Sequence, residues 1–263
     1  METDQTDDDE TQIDPAVPSH LSVVIPARNE AETIEGVVEH ARASGATEVI
    51  VVDSRSSDDT AACAVAAGAT VVDPDTLNPE HGPTVGKGDA LWRALPLTTG
   101  DVVAFVDGDL TVFDDLIPRL LAPLRQSSIL FSKADIRRLD TSGHRRFGRV
   151  SQFTARPMLS QLFPELADIT EPLSGQVAAR RSVLMSLPFE PDYGLEIGML
   201  LDVVAAHGRS AVAHPDCGRI LHGEQTDGDL EDMARVVART ILDRAGLRSG
   251  RRDLRPPHHG EVR

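Results

Sequence analysis

The 263-residue sequence has little cysteine, few aromatic residues and no long apolar run. Its two cysteines, Cys63 and Cys217, are far apart and lack CxxC spacing, which excludes a disulfide framework and a thiolate zinc site. No stretch approaches the roughly 18 apolar residues of a membrane span. The first twenty residues are acidic, unlike a secretion leader. We therefore expect a soluble, cytoplasmic protein that does not contact a membrane.

Positive charge is also scarce, because 26 Lys and Arg residues face 42 Asp and Glu residues, a formal net charge of −16. Nucleic-acid binding requires the opposite balance and is not expected. Seven of the acids and no base lie in residues 1–18, which predicts a disordered acidic tail. Residues 133–156 reverse the sign with seven bases against two acids. This segment is either a solvated surface loop or a contact for a small anionic ligand.

From residue 20 the sequence alternates short β-branched runs with stretches rich in Ala, Glu and Leu, which predicts an α/β fold. We expect a Rossmann-like, mostly parallel sheet flanked by helices, with halves at residues 19–125 and 126–243 and a flexible basic tail at 244–263. The predicted strands are 21–25, 49–53, 70–72, 102–107, 129–134, 176–179 and 210–213. The predicted helices are 31–43, 58–67, 87–95, 149–162, 194–207 and 230–245.

Ligands of such sheets bind at the carboxyl ends of the strands, so the residues there are the candidates for a site. The first strand ends in PARNE, residues 26–30, and the second in DSRSSDDT, residues 53–60. Asp53 is suited to hydrogen-bond a ribose or a base, and Asp58 to cap the next helix. Gly86, Lys87 and Gly88 open a helix, where the positive dipole end favours an anion. The GxxxxGK[ST] pattern is absent, which leaves a P-loop phosphohydrolase unsupported.

The sharpest local signal is a hydrophobic strand that ends in Asp107-Gly108-Asp109. The two carboxylates offer hard oxygen ligands for Mg²⁺ or Mn²⁺, and the glycine allows a diphosphate to approach closely. The alternative is a capped turn. The position at the end of a central strand favours metal binding.

Eight segments in order over residues 20–240 resemble the motifs of glucosyl-3-phosphoglycerate synthases, which are retaining GT-A glycosyltransferases. The segments are PARNE, DSRSSDDT, GKGDALWRAL, VDGDL, GRVSQFTARP, PLSGQ, FEPDYGLEIGMLLD and an isolated His222. The resemblance implies a GT-A fold, a nucleotide-sugar donor such as UDP-glucose, a divalent metal, 3-phosphoglycerate as the acceptor, and a homodimer. The first half would then bind the nucleotide sugar and the second half the acceptor.

The same resemblance implies roles for individual residues. Pro26, Ala27 and Glu30 would hold the uridine, with Asp53 or Ser54 beside it, and Lys87 would meet the donor. Asp107, Gly108 and Asp109 would contact the ribose, the diphosphate and the metal, with His222 as a further metal ligand. Tyr193 and Glu196 would form the sugar pocket. Gly148, Arg149, Val150 and Ser151 would receive the acceptor phosphate, and Leu173, Ser174 and Gly175 would line the reaction centre. Asp109, Glu196 and Lys87 are the expected catalytic residues.

Two departures from the family pattern leave alternatives open. Glu224 follows His222 at a place where the family favours basic or amide residues, so another acid or a sugar remains an alternative acceptor. Arg55 replaces a glycine usual in its turn, which leaves the nucleotide open. Other classes of enzyme fit less well. A nucleotidyltransferase should carry a Gly-rich loop after the first strand, and an inverting family-two transferase should carry a QxxRW-type segment, but the sequence has neither. A non-catalytic nucleotide-sugar binding protein is the remaining alternative.

Overall fold

The computed structural model describes residues 20–112, 114–139, 145–220, 227–248 and 254–258. It confirms the α/β prediction, since a mostly parallel sheet lies between layers of helices. Within the described ranges no helix is both long enough and apolar enough to cross a membrane.

Every strand and helix predicted in the first half is present, with ends that differ from the prediction by at most three residues. The elements are β1 (Leu21–Ala27), α1 (Ile34–Ala43), β2 (Glu48–Asp53), α2 (Thr60–Ala66), β3 (Thr70–Val72), α3 (Lys87–Ala94) and β4 (Val102–Phe105). Helix α1 buries Ile34, Val37, Val38 and Ala41, which recur at helical spacing and form one face against the sheet.

From residue 116 onward the chain contains the predicted elements together with five that the sequence did not predict, the first of which lies at the end of the first half. In chain order they are α4 (Leu116–Leu121), β5 (Phe131–Lys133), β6 (Asp135–Leu139), β7 (Arg145–Arg146), α5 (Arg156–Leu162), β8 (Val177–Arg180), α6 (Arg181–Ser186), α7 (Leu195–His207), β9 (Val212–Ala213), β10 (Asp216–Arg219) and α8 (Asp227–Arg244). The unpredicted elements are α4, β6, β7, α6 and β10. A π-helical turn, Ser151–Ala155, precedes α5 and completes the predicted helix 149–162. Pro157 lacks the N–H that would bond to residue 153, which accounts for a widened turn at this point.

The strand order of the seven-stranded sheet is β3-β2-β1-β4-β8-β5-β9. Strand β1 pairs in parallel with β2 and β4, and Ala27 is in register with Asp53. The carboxyl ends of these strands therefore lie at one edge of the sheet. Strand β8 runs antiparallel to both of its neighbours and joins the two halves of the chain. A separate three-stranded sheet has the order β10-β6-β7.

Two apolar clusters cover the two faces of the large sheet. Alternate residues of β4 point to opposite faces, so Val103 and Phe105 belong to one cluster and Val102 and Ala104 to the other. Helices α3, α7 and α8 cover the first face, and α1 and α4 cover the second. Because both faces are buried, the central strands are continuous apolar runs.

The predicted flexible tail differs from the structure at residues 254–258. Phe189 and Arg255 form an isolated antiparallel bridge, and the ring of His258 stacks on Trp92 with centroids 4.6 Å apart. These residues are therefore packed against the body of the protein.

Candidate active site

The carboxyl ends of β1, β2 and β4 open into a cleft of about 1010 Å³. This edge is the usual ligand position in an open parallel sheet. The opposite wall consists of the start of helix 149–162 and the loop at residues 173–176. The cleft therefore lies between the two halves of the chain.

Most of the predicted site residues line this cleft. They are Pro26, Ala27, Glu30, Ser54, Lys87, Asp107, Gly108, Asp109, Gly148, Arg149, Val150, Ser151, Leu173, Gly175, Tyr193 and Glu196. Asp53 and Ser174 are not on the cleft wall. The Asp53 carboxylate instead accepts a hydrogen bond from the Ser56 amide at 3.2 Å, and Ser174 is fully buried. His222 and Glu224 lie outside the described residues.

Lys87, the first residue of α3, forms ion pairs with two carboxylates in the cleft. Its Nζ donates to Asp107 Oδ1 at 2.5 Å and to Glu196 Oε1 at 2.9 Å. Burial alone would lower the pKa of Lys87, but the charges of Asp107 and Glu196 raise that pKa above its ordinary value. The ammonium is therefore charged at neutral pH and links the end of β4 to the start of α7.

Gln176 fixes the other side of the Asp107 carboxylate. Its Nε2 donates to Asp107 Oδ2 at 2.6 Å, and its Oε1 accepts from the Asp107 amide at 3.0 Å. The neighbouring Gly175 allows this close packing, because a Cβ there would lie 2.4 Å from Asp107 Oδ2 and 2.6 Å from Lys87 Nζ. Gln176 ends the PLSGQ segment, for which the family resemblance implied roles only at Leu173, Ser174 and Gly175.

Lys133 lies beneath the same loop and was also missed. It is fully buried, and its Nζ donates to the Ser174 carbonyl at 2.7 Å. Burial lowers the pKa of Lys133 to about 8, although the charge of Glu196 opposes that shift. The chain has two lysines, and both contribute to this site. The scarcity of lysine in the sequence is a signal that could have identified Lys133 as a candidate site residue.

Negative charge accumulates at the end of β4. Burial first, and then the charges of Asp109, Asp58 and Asp107, raise the pKa of Glu30 above its ordinary value. No three His, Cys, Asp or Glu residues form a metal-ligand group within the ranges that the structure describes. Mg²⁺, however, commonly takes one or two protein ligands and completes its shell with phosphate and water oxygens. Asp109 on the cleft wall fits that pattern.

The turn after β2 is held by polar contacts of its own. Asp58 accepts from the Thr60 amide at 3.1 Å, but the N-cap residue of α2 is Asp59 and no side chain among the described residues caps this helix, so the capping role predicted for Asp58 is not confirmed. Arg55 has a φ of 60°, in the left-handed region that favours glycine, the residue usual at this position in the resembling family. Its Nε lies 2.5 Å from Asp75 Oδ2, and both residues line the cleft.

The opposite wall carries the predicted acceptor segment, Gly148–Ser151. Arg149 is exposed to the cleft, whereas Val150 and Ser151 are buried at the start of the helix. The aromatic ring of Phe147 lies beside them, with the guanidinium carbon of Arg156 4.4 Å from its centroid. A cation at the start of a helix suits an anionic group.

A family model described as glycosyl transferase family 2 matches residues 22–184. The sequence lacks the QxxRW-type segment expected of inverting members of that family. The match nevertheless extends from the first strand past the loop at residues 173–176, so the chain matches family 2 although it lacks the segment by which the sequence was separated from inverting members.

Several proteins are similar to this chain. Glucosyl-3-phosphoglycerate synthase of Mycolicibacterium smegmatis is 42% identical over 236 residues, which cover 86% of this chain and 78% of that protein. The structure of the Mycobacterium tuberculosis glucosyl-3-phosphoglycerate synthase with Mn²⁺, UDP-glucose and phosphoglyceric acid matches with a TM-score of 0.82 at 39% identity, covering 91% of this chain and 90% of that chain. A structure of the same enzyme with Mg²⁺ and UDP matches with a TM-score of 0.81 at 37% identity, covering 90% of each chain.

Proposed function

This chain belongs to the glucosyl-3-phosphoglycerate synthase family, within glycosyl transferase family 2, and from that premise we propose that it transfers glucose from UDP-glucose to 3-phosphoglycerate. The observation that carries the proposal is that one cleft contains both the strand ends expected to bind the donor and Arg149 at the start of the opposite helix. The same fold holds a nucleotide sugar and phosphoglyceric acid together in the M. tuberculosis enzyme.

Asp109 and His222 would hold a Mg²⁺ or Mn²⁺ ion at this site. The raised pKa of Glu30, caused by burial and by Asp109, Asp58 and Asp107, indicates a surplus of negative charge that a divalent cation would offset. When bound, the ion supplies Lewis-acid stabilisation of the charge on the leaving diphosphate. An anionic diphosphate and these carboxylates would otherwise repel each other.

The ion-paired residues orient the sugar. Lys87 holds the Glu196 carboxylate at 2.9 Å, which leaves Glu196 in a fixed position to accept hydrogen bonds from sugar hydroxyls. Tyr193 lies on the same part of the cleft wall. The ammonium of Lys87 also places a positive charge beside the donor, where it stabilises negative charge on the departing phosphate oxygens.

Arg149 and the helix start bind the acceptor through its anionic groups. An exposed guanidinium forms charge-assisted hydrogen bonds with phosphate or carboxylate oxygens. Leu173 and Gly175 line the same cleft, and a Cβ at Gly175 would lie 2.6 Å from Lys87 Nζ, so the acceptor hydroxyl would meet the sugar near this loop.

We propose that the anomeric configuration is retained. Asp107 and Glu196, the carboxylates beside Lys87, are both engaged by its ammonium, which disfavours either as a nucleophile. Attack by the acceptor hydroxyl from the face that the diphosphate leaves needs no protein nucleophile. This reaction course is the one that the family resemblance implies.

The test is an assay of the purified full chain with UDP-glucose, Mg²⁺ and 3-phosphoglycerate. We expect UDP release that depends on both the acceptor and the metal, and an α-linked product in the NMR spectrum. Parallel reactions with GDP-mannose as donor, and with glycerate or glycerol 3-phosphate as acceptor, identify the preferred substrates. UDP-glucose binding without UDP release in any reaction would identify a binding protein instead.

The homodimer and the cytoplasmic location remain predictions from the sequence. Sedimentation velocity of the purified chain tests the first. Fractionation of the source cells tests the second.

A further inference from the structure

Residues 254–258, here called the C-terminal segment, pack against two elements that lead into the cleft. The Arg255 amide donates to the Phe189 carbonyl and the Phe189 amide to the Arg255 carbonyl, both at 2.9 Å. The ring of His258 stacks on Trp92 of α3. The segment therefore contacts both α3 and the chain that precedes α7.

The side chain of Arg255 makes a two-point contact with Asp89. Its Nε lies 2.6 Å from Asp89 Oδ1, and its Nη2 lies 2.8 Å from Asp89 Oδ2. The Asp89 side chain is fully buried, and that of Arg255 is 15% exposed. A bidentate pair of this kind fixes direction as well as distance. Asp89 is in the first turn of α3, two residues after Lys87.

Asp89 in turn connects to the cleft wall. Its Oδ2 accepts from the Val85 amide at 3.1 Å, and its own amide donates to the Pro191 carbonyl at 3.1 Å. Gly88 allows the two backbones to touch, because a Cβ there would lie 2.0 Å from the Glu190 carbonyl oxygen. The first turn of α3 and residues 189–192 are therefore packed directly against each other.

These two pieces carry the partners of one ion pair in the active site. Lys87 begins α3, and Glu196 lies shortly after residues 189–192, with the two charged groups 2.9 Å apart. Arg255 holds the first piece through its side chain and the second through its backbone. We propose that Arg255 is a positioning residue, which sets the geometry of the Lys87–Glu196 pair from outside the cleft. This role rests on the proposed function, because the Lys87–Glu196 pair orients the sugar only if the protein transfers glucose.

Replacement of Arg255 should leave the fold intact. Asp89 keeps a second partner, since Arg93 Nε lies 3.1 Å from its Oδ1. Glu190 is held independently by Arg244, whose Nη1 lies 2.6 Å from Glu190 Oε1. The buried charges of Asp89 and Glu190 therefore stay paired without Arg255. The substitution should change only the position of the first turn of α3 relative to residues 189–192.

The experiment compares Arg255→Gln and Arg255→Lys in the full chain with wild type. Arg235→Gln is the matched control, because Arg235 is an exposed arginine on α8 whose guanidinium, like that of Arg255, makes two ion-pair contacts, here with Asp232 and Glu231. With saturating UDP-glucose and 3-phosphoglycerate, we expect Arg255→Gln to lower kcat roughly ten- to a hundredfold, the usual cost of misplacing a catalytic group. Arg255→Lys keeps the positive charge but cannot make the bidentate contact with Asp89, so its kcat should lie between those of Arg255→Gln and wild type. Arg235→Gln should match wild type.

Two further measurements separate positioning from general stability. Trp92 is the one tryptophan of the chain, so its emission reports whether the C-terminal segment is docked. Hydrogen exchange at the Val85 and Asp89 amides should be faster in Arg255→Gln than in Arg235→Gln. A lower Tm with kcat within twofold of wild type, measured where both proteins are folded, would overturn the proposal, as would unchanged exchange at both amides.

The two proposals fail in different ways. A wild-type chain that transfers no glucose counts against the proposed function, and the amide exchange then still tests the effect of Arg255 on α3. A wild-type chain that transfers glucose, with an equally active Arg255→Gln variant, overturns only the positioning role.

Discussion

The two walls of the cleft are built in different ways. The wall proposed to bind the donor, here called the donor wall, consists of strand ends, where Pro26, Ser54 and Asp107 each lie at or just after the end of a parallel strand. The wall proposed to bind the acceptor, here called the acceptor wall, consists of a helix start and a loop, and the loop is held by the buried side chains of Lys133 and Gln176. Backbone topology therefore positions the donor wall, whereas long-range polar contacts position the loop of the acceptor wall.

The walls also differ in charge. The donor wall gathers Glu30, Asp107 and Asp109 and requires a cation beside an anionic nucleotide. The acceptor wall presents Arg149 and has no such requirement. Lys87 lies where the two walls meet, because it pairs with Asp107 after β4 and a Cβ at Gly175 of the acceptor-wall loop would lie 2.6 Å from its Nζ. Substitutions on the two walls should therefore produce different kinetic signatures.

The largest expected effect is on the donor wall. Asp109→Ala removes the proposed metal ligand and should lower kcat with UDP-glucose by roughly a thousandfold or more, because several kcal/mol of charge stabilisation would be lost. Titration with Mn²⁺ should show weakened binding in the same variant. Asp115→Ala, at an exposed aspartate outside the cleft, is the control. Undiminished activity of Asp109→Ala would remove the metal assignment.

The next effect tests the contact that joins the walls. Gln176→Leu keeps the side-chain volume but leaves the Asp107 amide and Oδ2 without their Gln176 partners. We expect kcat/KM for UDP-glucose to fall roughly ten- to a hundredfold, the cost of unpaired buried polar groups. Gln161→Leu, at an exposed position on α5, should leave kcat/KM unchanged. Equal values for the two variants would mean that the loop does not position Asp107.

A smaller effect should appear only on the acceptor side. Arg149→Ala should raise the KM for 3-phosphoglycerate roughly tenfold, a modest cost because Arg149 is exposed and its charge is screened by solvent. The KM for UDP-glucose should stay within twofold of wild type. Steady-state kinetics with each substrate varied in turn make the comparison, with the exposed Arg125→Ala variant as control. An equal rise in both KM values would contradict an acceptor role.

The donor wall could be predicted from sequence because its signals are local. Strands β1, β2 and β4 are apolar runs that end in polar residues, and parallel topology brings those ends to one edge. Asp53 shows the limit of this reasoning, since its carboxylate is turned into its own loop by Ser56. A strand-end position does not determine the direction of the side chain.

The acceptor wall could be predicted only through the family resemblance. Gln176 and Lys133 act through contacts with residues 69 and 41 positions away, which no local pattern reveals. Strands β7 and β10 contain two and four residues, which is too short for a clear alternation. The docked C-terminal segment has the composition of a loose tail, and only its tertiary partners, such as Asp89, show otherwise.

The smallest expected effect concerns the buried lysine of the acceptor side and its dependence on pH. Burial lowers the pKa of Lys133 to about 8 from the ordinary 10.5. Between these values the unfolded chain binds more protons at Lys133 than the folded chain does. The free energy of unfolding contributed by Lys133 therefore rises with pH across this window, and the penalty for burying the charge is fully present below it.

Urea unfolding of wild type and Lys133→Met over this window measures that slope. The wild-type chain should gain about 1 kcal/mol per pH unit relative to the variant, because one proton is involved. Cys217 also affects the pH dependence, because burial raises the pKa of its thiol to about 12 and its contribution to the free energy of unfolding therefore falls above pH 9.0. Both proteins contain Cys217, so this contribution cancels when the two profiles are subtracted. Parallel profiles for the two proteins would show that the pKa of Lys133 is not lowered in the folded state, so that its ammonium stays charged across this window. The Ser174 carbonyl would then accept from a buried charge throughout, and Lys133 would add to the positive charge that Arg149 gives the acceptor wall.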